Sequence, residues 1–141
     1  MDHLLRQRYR ESLAELTFNS RPIITSLTII AGENAAHAHV IVAVIEDQLR
    51  NVAPNAKLPV LYLIDSICKN IGPVYTHLFS PRMFENFSAA YSVVAPLDRE
   101  KFRKVVNTWK QPDPRSQGRP LFGREVEVDL SLGSMFFAAA I

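Results

Sequence analysis

Apolar residues along this chain return every three or four positions, the repeat of helices that turn one side to a core. Leu4, Leu5, Tyr9, Leu13 and Leu16 predict a first helix ending near Thr17. Ile23, Ile24, Leu27, Ile30 and Ala31 mark a second, capped by Asn19 or Ser20, with Pro22 in its first turn and Gly32 as its stop. Val40, Val44, Ile45 and Leu49 line a third over 35–52, broken by Pro54. A fourth, capped by Asn55, ends at Gly72 and Pro73; short helices follow at 74–79 and 81–94. The next, 97–110, stops before Pro112 and Pro114. Helices in succession with short links predict an all-α fold.

Past residue 110 the pattern changes. Residues 111–120 read as a polar surface loop rather than a domain boundary. Val126, Val128, Leu130 and Leu132 then alternate strictly, which is a strand signal.

The fourth helix carries the most informative surface. With Tyr62 as the zero of a helical wheel, Asp65, Ser66, Lys69 and Asn70 fall with it inside an arc of about 140°. Leu63, Ile64, Ile67, Cys68 and Ile71 take the remainder. An ordinary solvated face would be mostly Glu, Lys and Arg in pairs four apart. An aromatic, one carboxylate, a hydroxyl and an amide instead suit hydrogen bonding to a polar ligand while stacking on its apolar parts. Local capping and back-bonding by Ser66 and Asn70 is the bland alternative.

A chain of 141 residues, 48% apolar and 21% charged, is one domain (1–141) able to bury a core. It begins at Met1 without an evident terminus at its other end, so the front of a longer protein is expected. No apolar run reaches the roughly 18 residues of a membrane span, and no signal peptide opens the chain. A single cysteine, Cys68, excludes an internal disulfide and sits on the buried arc. Net charge is only +2, yet seven bases face three acids between Asp98 and Arg119. That basic strip fits an acidic or phosphorylated partner, beyond what a helix dipole explains. His37 and His39, two apart, are expected to point to different sides of a helix and not to share a metal. No phosphate-cradling glycine loop or nucleophile elbow occurs. The reading is therefore no enzyme, no metal and no cofactor. Arg6, Arg8 and Arg10 flank the first apolar stripe, but Asp2, Glu11 and Glu15 oppose an anionic membrane surface.

The segment DSICKN (65–70), preceded by LTFNSRPIITSLT (16–28), resembles the CTD-interacting domain, which binds the C-terminal heptad repeats of RNA polymerase II. KLPVLYLIDSICKNIG (57–72), PVYTHLFS (73–80), a basic helix ending at Trp109 and GRPLF (118–122) follow in the family's order. The pattern is most similar to members acting in pre-mRNA 3′-end cleavage, polyadenylation and transcription termination. The resemblance implies a right-handed superhelix of about eight helices, related to VHS and ENTH domains, with a late helix near 131–140 despite the strand signal. It implies a nuclear protein whose ligand is the repeat Tyr-Ser-Pro-Thr-Ser-Pro-Ser, phosphorylated on its first serine, with other cleavage-factor subunits reached through the rest of the protein.

The implied groove lies between the second, fourth and basic helices. Asp65 would accept from the peptide's tyrosine hydroxyl and Asn70 would bond its backbone. Tyr62 and Ile67 would pack on its tyrosine and proline, with Ser66 as an extra donor. Asn19 and Arg21 would border the groove, Val105 and Thr108 would line it, and Lys104, where some relatives carry arginine, would meet the phosphate as a point charge. Two alternatives use the same fold: weak RNA binding through residues 99–119, or a trafficking adaptor of VHS or ENTH type. A scaffold without a peptide groove is a third.

Overall fold

The computed structural model of the chain describes residues 2–111, 121–122, 127–129 and 136–138. Its helical body is built from α1 (Asp2–Leu13), α2 (Arg21–Glu33), α3 (Ala38–Asn51), α4 (Lys57–Asn70), α5 (Pro73–Val93) and α6 (Pro96–Lys110). Single 3₁₀ turns at Ala35–His37 and Pro54–Ala56 introduce α3 and α4. α3 packs against α1, α4 and α5, while α4 also touches α2 and α6. The two central helices therefore join the core contributions of the others, and α4 keeps one strip open between α2 and α6.

Leu13, Ile41, Ile45, Leu61, Leu63, Phe79, Phe87 and Phe102 are fully buried. Each such side chain contributes about 1.5–3 kcal/mol on leaving water. Most polar groups inside this core are paired, as burial demands, the buried hydroxyls of Ser88 and Tyr91 being the exceptions among the described residues. The Tyr9 hydroxyl donates to the Leu27 carbonyl (3.0 Å) and that of Tyr75 to the Ala31 carbonyl (2.7 Å), so α1 and α5 both grip α2. Glu46 of α3, almost wholly buried, accepts from Arg82 (2.8 Å) and Asn86 (3.1 Å) of α5. Buried Lys57 donates to the last carbonyls of α3, at Leu49 (2.7 Å) and Arg50 (3.3 Å).

The all-α expectation holds for the body, and several boundaries shift for local reasons. Ser20, not Asn19, caps α2, with its hydroxyl accepting from the Ile23 N–H at 3.4 Å. Gly32 does not stop α2, which continues to Glu33. A Cβ on Gly32 would stand 2.8 Å from Ile71 Cδ1, so this glycine serves the close approach of α2 to the end of α4. Asn55 lies inside a 3₁₀ turn and does not cap α4. The two short helices expected at 74–79 and 81–94 are one helix, α5, with Pro81 inside it. Pro81 is exposed, so its ring points outward and only one ladder bond is lost. Ser80 back-bonds to the Thr76 carbonyl (2.9 Å) and Arg82 to that of Leu78 (3.1 Å), satisfying acceptors beside the gap. Gly72, at φ 97°, turns the chain between α4 and α5 in a conformation open chiefly to glycine.

The late helix expected near 131–140 is overturned where the structure describes it. Residues Phe136–Ala138 form a strand, β2, paired antiparallel with β1 (Glu127–Asp129) in the register Val128 to Phe137. β2 lies against α5. The alternation read over 126–132 matches β1, whereas β2 lies beyond it. The rest of that stretch, and the polar loop at 112–120, fall outside the described residues.

Candidate functional site

The open strip of α4 presents Tyr62, Asp65, Ser66, Lys69 and Asn70 between α2 and α6, as the wheel implied. Helical spacing alone brings these five together; the flanking helices then fix most of them. Asp65, whose side chain is 21% exposed, accepts through one oxygen, Oδ1, from two donors. One is the Trp109 indole N–H at 2.8 Å, the other the Lys69 ammonium at 2.7 Å. Lys69 also donates to the Thr108 hydroxyl (2.7 Å), which closes onto the Val105 carbonyl (2.6 Å). A carboxylate has about four lone-pair positions, so Asp65 keeps acceptor capacity.

On the α2 side, Ser66 Oγ stands 2.8 Å from Thr28 Oγ1. Thr28 spends its one proton on the Ile24 carbonyl at 2.7 Å, so Ser66 is the donor between the two hydroxyls. The Ser66 hydroxyl is thus engaged within the fold, its oxygen also accepting from Asn70 Nδ2 at 3.4 Å. Asn70 is exposed and gives one amide proton to the Ser66 carbonyl at 2.7 Å. Tyr62 is half-buried, and burial, followed by the carboxylates of Asp98 and Asp65, holds its phenol above the usual range. It remains a neutral, stackable ring.

Ile67 is corrected. It is 0% exposed and belongs to the core beneath the strip, so it is not on the face open to a ligand. The same apolar arc buries Cys68, whose thiol is pushed up by desolvation and is no nucleophile. Val105 is buried at the edge of the strip and Thr108 is exposed. Lys104 is exposed one turn before Thr108. Asn19 and Arg21 are exposed at the head of α2, where Arg21 lines a shallow hollow of about 570 Å³ with Thr25 and Ile29.

The basic strip is only partly available. Arg99 and Arg103 both lie over the Tyr91 ring, at 5.4 and 5.6 Å, and Arg99 donates to the Tyr91 and Ser92 carbonyls. Arg115 and Arg119 fall outside the described residues. His37 and His39 do not diverge: His37 sits in the 3₁₀ turn, and both imidazoles reach Asp2, at 3.0 and 3.4 Å. No group of three His, Cys, Asp or Glu among the described residues is arranged to hold a metal. Nor is any single described helix long and apolar enough to cross a membrane.

Two contributors escaped sequence reasoning, and for Lys69, already on the wheel, only its pairing with Asp65 four residues before it went unread. Thr28 carried no signal beyond its burial-compatible size. Trp109 served only as a landmark, because nothing local tells where an indole N–H will point.

A family model described as CID domain matches residues 7–113 of the chain. The chain belongs to the CID family. This CID is 40% identical over 125 residues to Protein PCF11 of Saccharomyces cerevisiae, covering 86% of this chain and 20% of that protein. It is 48% identical over 115 residues to an uncharacterized protein of Schizosaccharomyces pombe, covering 81% of this chain and 18% of that one. The crystal structure of the RPR of Pcf11 superposes with a TM-score of 0.77 at 40% identity, covering 83% of this chain and 88% of the other. The CID therefore spans about a fifth of the length of the first two curated relatives.

Proposed function

We propose that this CID binds the heptad repeats Tyr-Ser-Pro-Thr-Ser-Pro-Ser at the C-terminus of RNA polymerase II, phosphorylated on the first serine. It would thereby couple transcription to pre-mRNA 3′-end cleavage, polyadenylation and termination in the nucleus. The domain is a binding module rather than an enzyme, and further cleavage-factor subunits would be met through the rest of the protein. The observation that carries this reading is Asp65, a partly exposed carboxylate paired with Lys69 between α2 and α6, on a strip whose other groups are aromatic, hydroxyl and amide. Relatives named for polyadenylation and cleavage, and for regulation of nuclear pre-mRNA, support the same direction.

In this reading the peptide lies along α4. Its tyrosine hydroxyl donates to Asp65, its ring stacks near Tyr62, and Asn70 meets its backbone. Val105 and Thr108 border one side; Asn19 and Arg21 border the other. Lys104 offers a single charge to the phosphate without the bidentate fork of arginine. At an exposed edge such a contact is weak, so phosphorylation tunes affinity by about tenfold at most. Ordering a disordered peptide opposes binding, which places the dissociation constant at about 10–100 μM per repeat. Tandem repeats compensate by local concentration.

Fluorescence anisotropy of a labelled two-repeat peptide, phosphorylated or not, tests this. Saturable micromolar binding that favours the phosphorylated form, with that preference lost in Lys104→Ala, is expected. Failure of both peptides to bind would sink the reading.

A further inference from the structure

The Trp109 indole N–H ends on the one carboxylate of the α4 strip, and neighbouring rings decide where it points. Trp109 is 3% exposed. Phe87 of α5 meets it edge-on at 5.7 Å, and Phe122, from beyond the polar loop, at 4.8 Å. The Leu121 N–H donates to the Trp109 carbonyl at 3.0 Å, tying the returning chain to the end of α6. A ring so enclosed has little freedom to turn, so its N–H is a fixed donor. It reaches Oδ1 of Asp65 from behind, at 2.8 Å, while Lys69 meets the same oxygen from along α4.

We infer that Trp109 is a positioning residue. Aimed by Phe87 and Phe122, its N–H anchors one carboxylate oxygen of Asp65 and leaves the other facing a donor hydroxyl on the bound peptide. This rests on the peptide reading above and deepens it. Trp109 need not touch the ligand. A short side chain on a partly open strip would otherwise spread over several rotamers, and a hydroxyl would have to order it on binding. With the anchor in place, the strip discriminates tyrosine from phenylalanine through a bond the phenylalanine cannot make.

The test is a double-mutant cycle on the 141-residue chain. Trp109→Phe removes the N–H and keeps an aromatic ring. Binding is measured to a two-repeat heptad peptide and to a twin with phenylalanine at each tyrosine. Wild type is expected to favour the tyrosine peptide by about tenfold or more, as a charge-assisted hydrogen bond allows. In Trp109→Phe that preference falls to about threefold or less, while the phenylalanine twin binds within about twofold of its wild-type constant. An equal loss for both peptides, the mark of mere packing damage, overturns the proposal; so does an intact tyrosine preference. Should Trp109→Phe fail to fold, benzothienylalanine at the same position, with sulfur in place of the N–H, keeps the ring size and is held to the same outcomes. Wild type that binds neither peptide overturns the peptide reading itself and the proposal with it. Binding to wild type with tyrosine preference retained in the variant overturns the proposal alone.

Discussion

Asp65 and Ile67 stand two positions apart on α4 and illustrate two different dependences. In the proposed reading Asp65 accepts from the peptide, so Asp65→Ala is expected to weaken heptad binding by about tenfold or more, the worth of a hydrogen bond to a charged group. Its stability loss, about 1–3 kcal/mol because the buried Trp109 N–H is stranded, should stay below that of a core truncation. Ile67→Ala should do the reverse: denaturant unfolding loses about 2–5 kcal/mol for a truncated core side chain. Any effect of Ile67→Ala on binding should follow from the fraction unfolded. A change in its peptide selectivity would contradict its placement in the core. Ser20→Ala belongs to the same scale. Its capping bond is long at 3.4 Å, so the thermal midpoint should report a loss near the low end of the range, about 0.5 kcal/mol.

Elements show how far sequence can be read. Period placed α1 to α4 and α6, because each carries an apolar stripe, whereas the cap read at Asn55 and the stop read at Gly32 did not hold. α5 was split because Pro81 reads locally as a boundary, whereas its exposed ring costs only one ladder bond on the solvent side. Helical spacing alone made the α4 strip visible, but not its stitching. Donor direction at Ser66 depends on Thr28 of another helix, and the orientation of Asp65 depends on Trp109, 44 residues away. Such pairings are tertiary and leave no local trace. The clamp between α3 and α5 is of this kind. Arg82→Ala strands one oxygen of buried Glu46 and should lower stability by about 1–3 kcal/mol. Pairing it with Glu46→Gln should recover part of that loss, because the buried charge is gone as well. Urea unfolding of the single and double variants measures this directly.

At the scale of the molecule, the buried phenols tie stability to alkaline pH. Tyr75, like Tyr9, donates to a carbonyl of α2, a bond its phenolate cannot make. Burial pushes Tyr75 up from 10.0 to about 12, and raises Tyr9 and Cys68 as well. The folded state therefore holds these protons longer than the unfolded chain. Their contribution is complete below the unfolded values and is lost as pH climbs; for Tyr75 the window runs from 10.0 to about 12. Thermal midpoints should be flat toward neutral pH and fall through this window, with phenolate absorbance rising together with unfolding. Tyr75→Phe should flatten part of that descent.

The most direct measurement is a two-dimensional amide NMR titration of the isotopically labelled chain with the phosphorylated two-repeat peptide. Shifts concentrated at Tyr62, Asp65, Lys69, Asn70 and Thr108, and at the Trp109 indole N–H, saturating at about 10–100 μM, are the expected result. Shifts confined to α1 and α3, or none at millimolar peptide, would contradict a heptad-binding strip on α4.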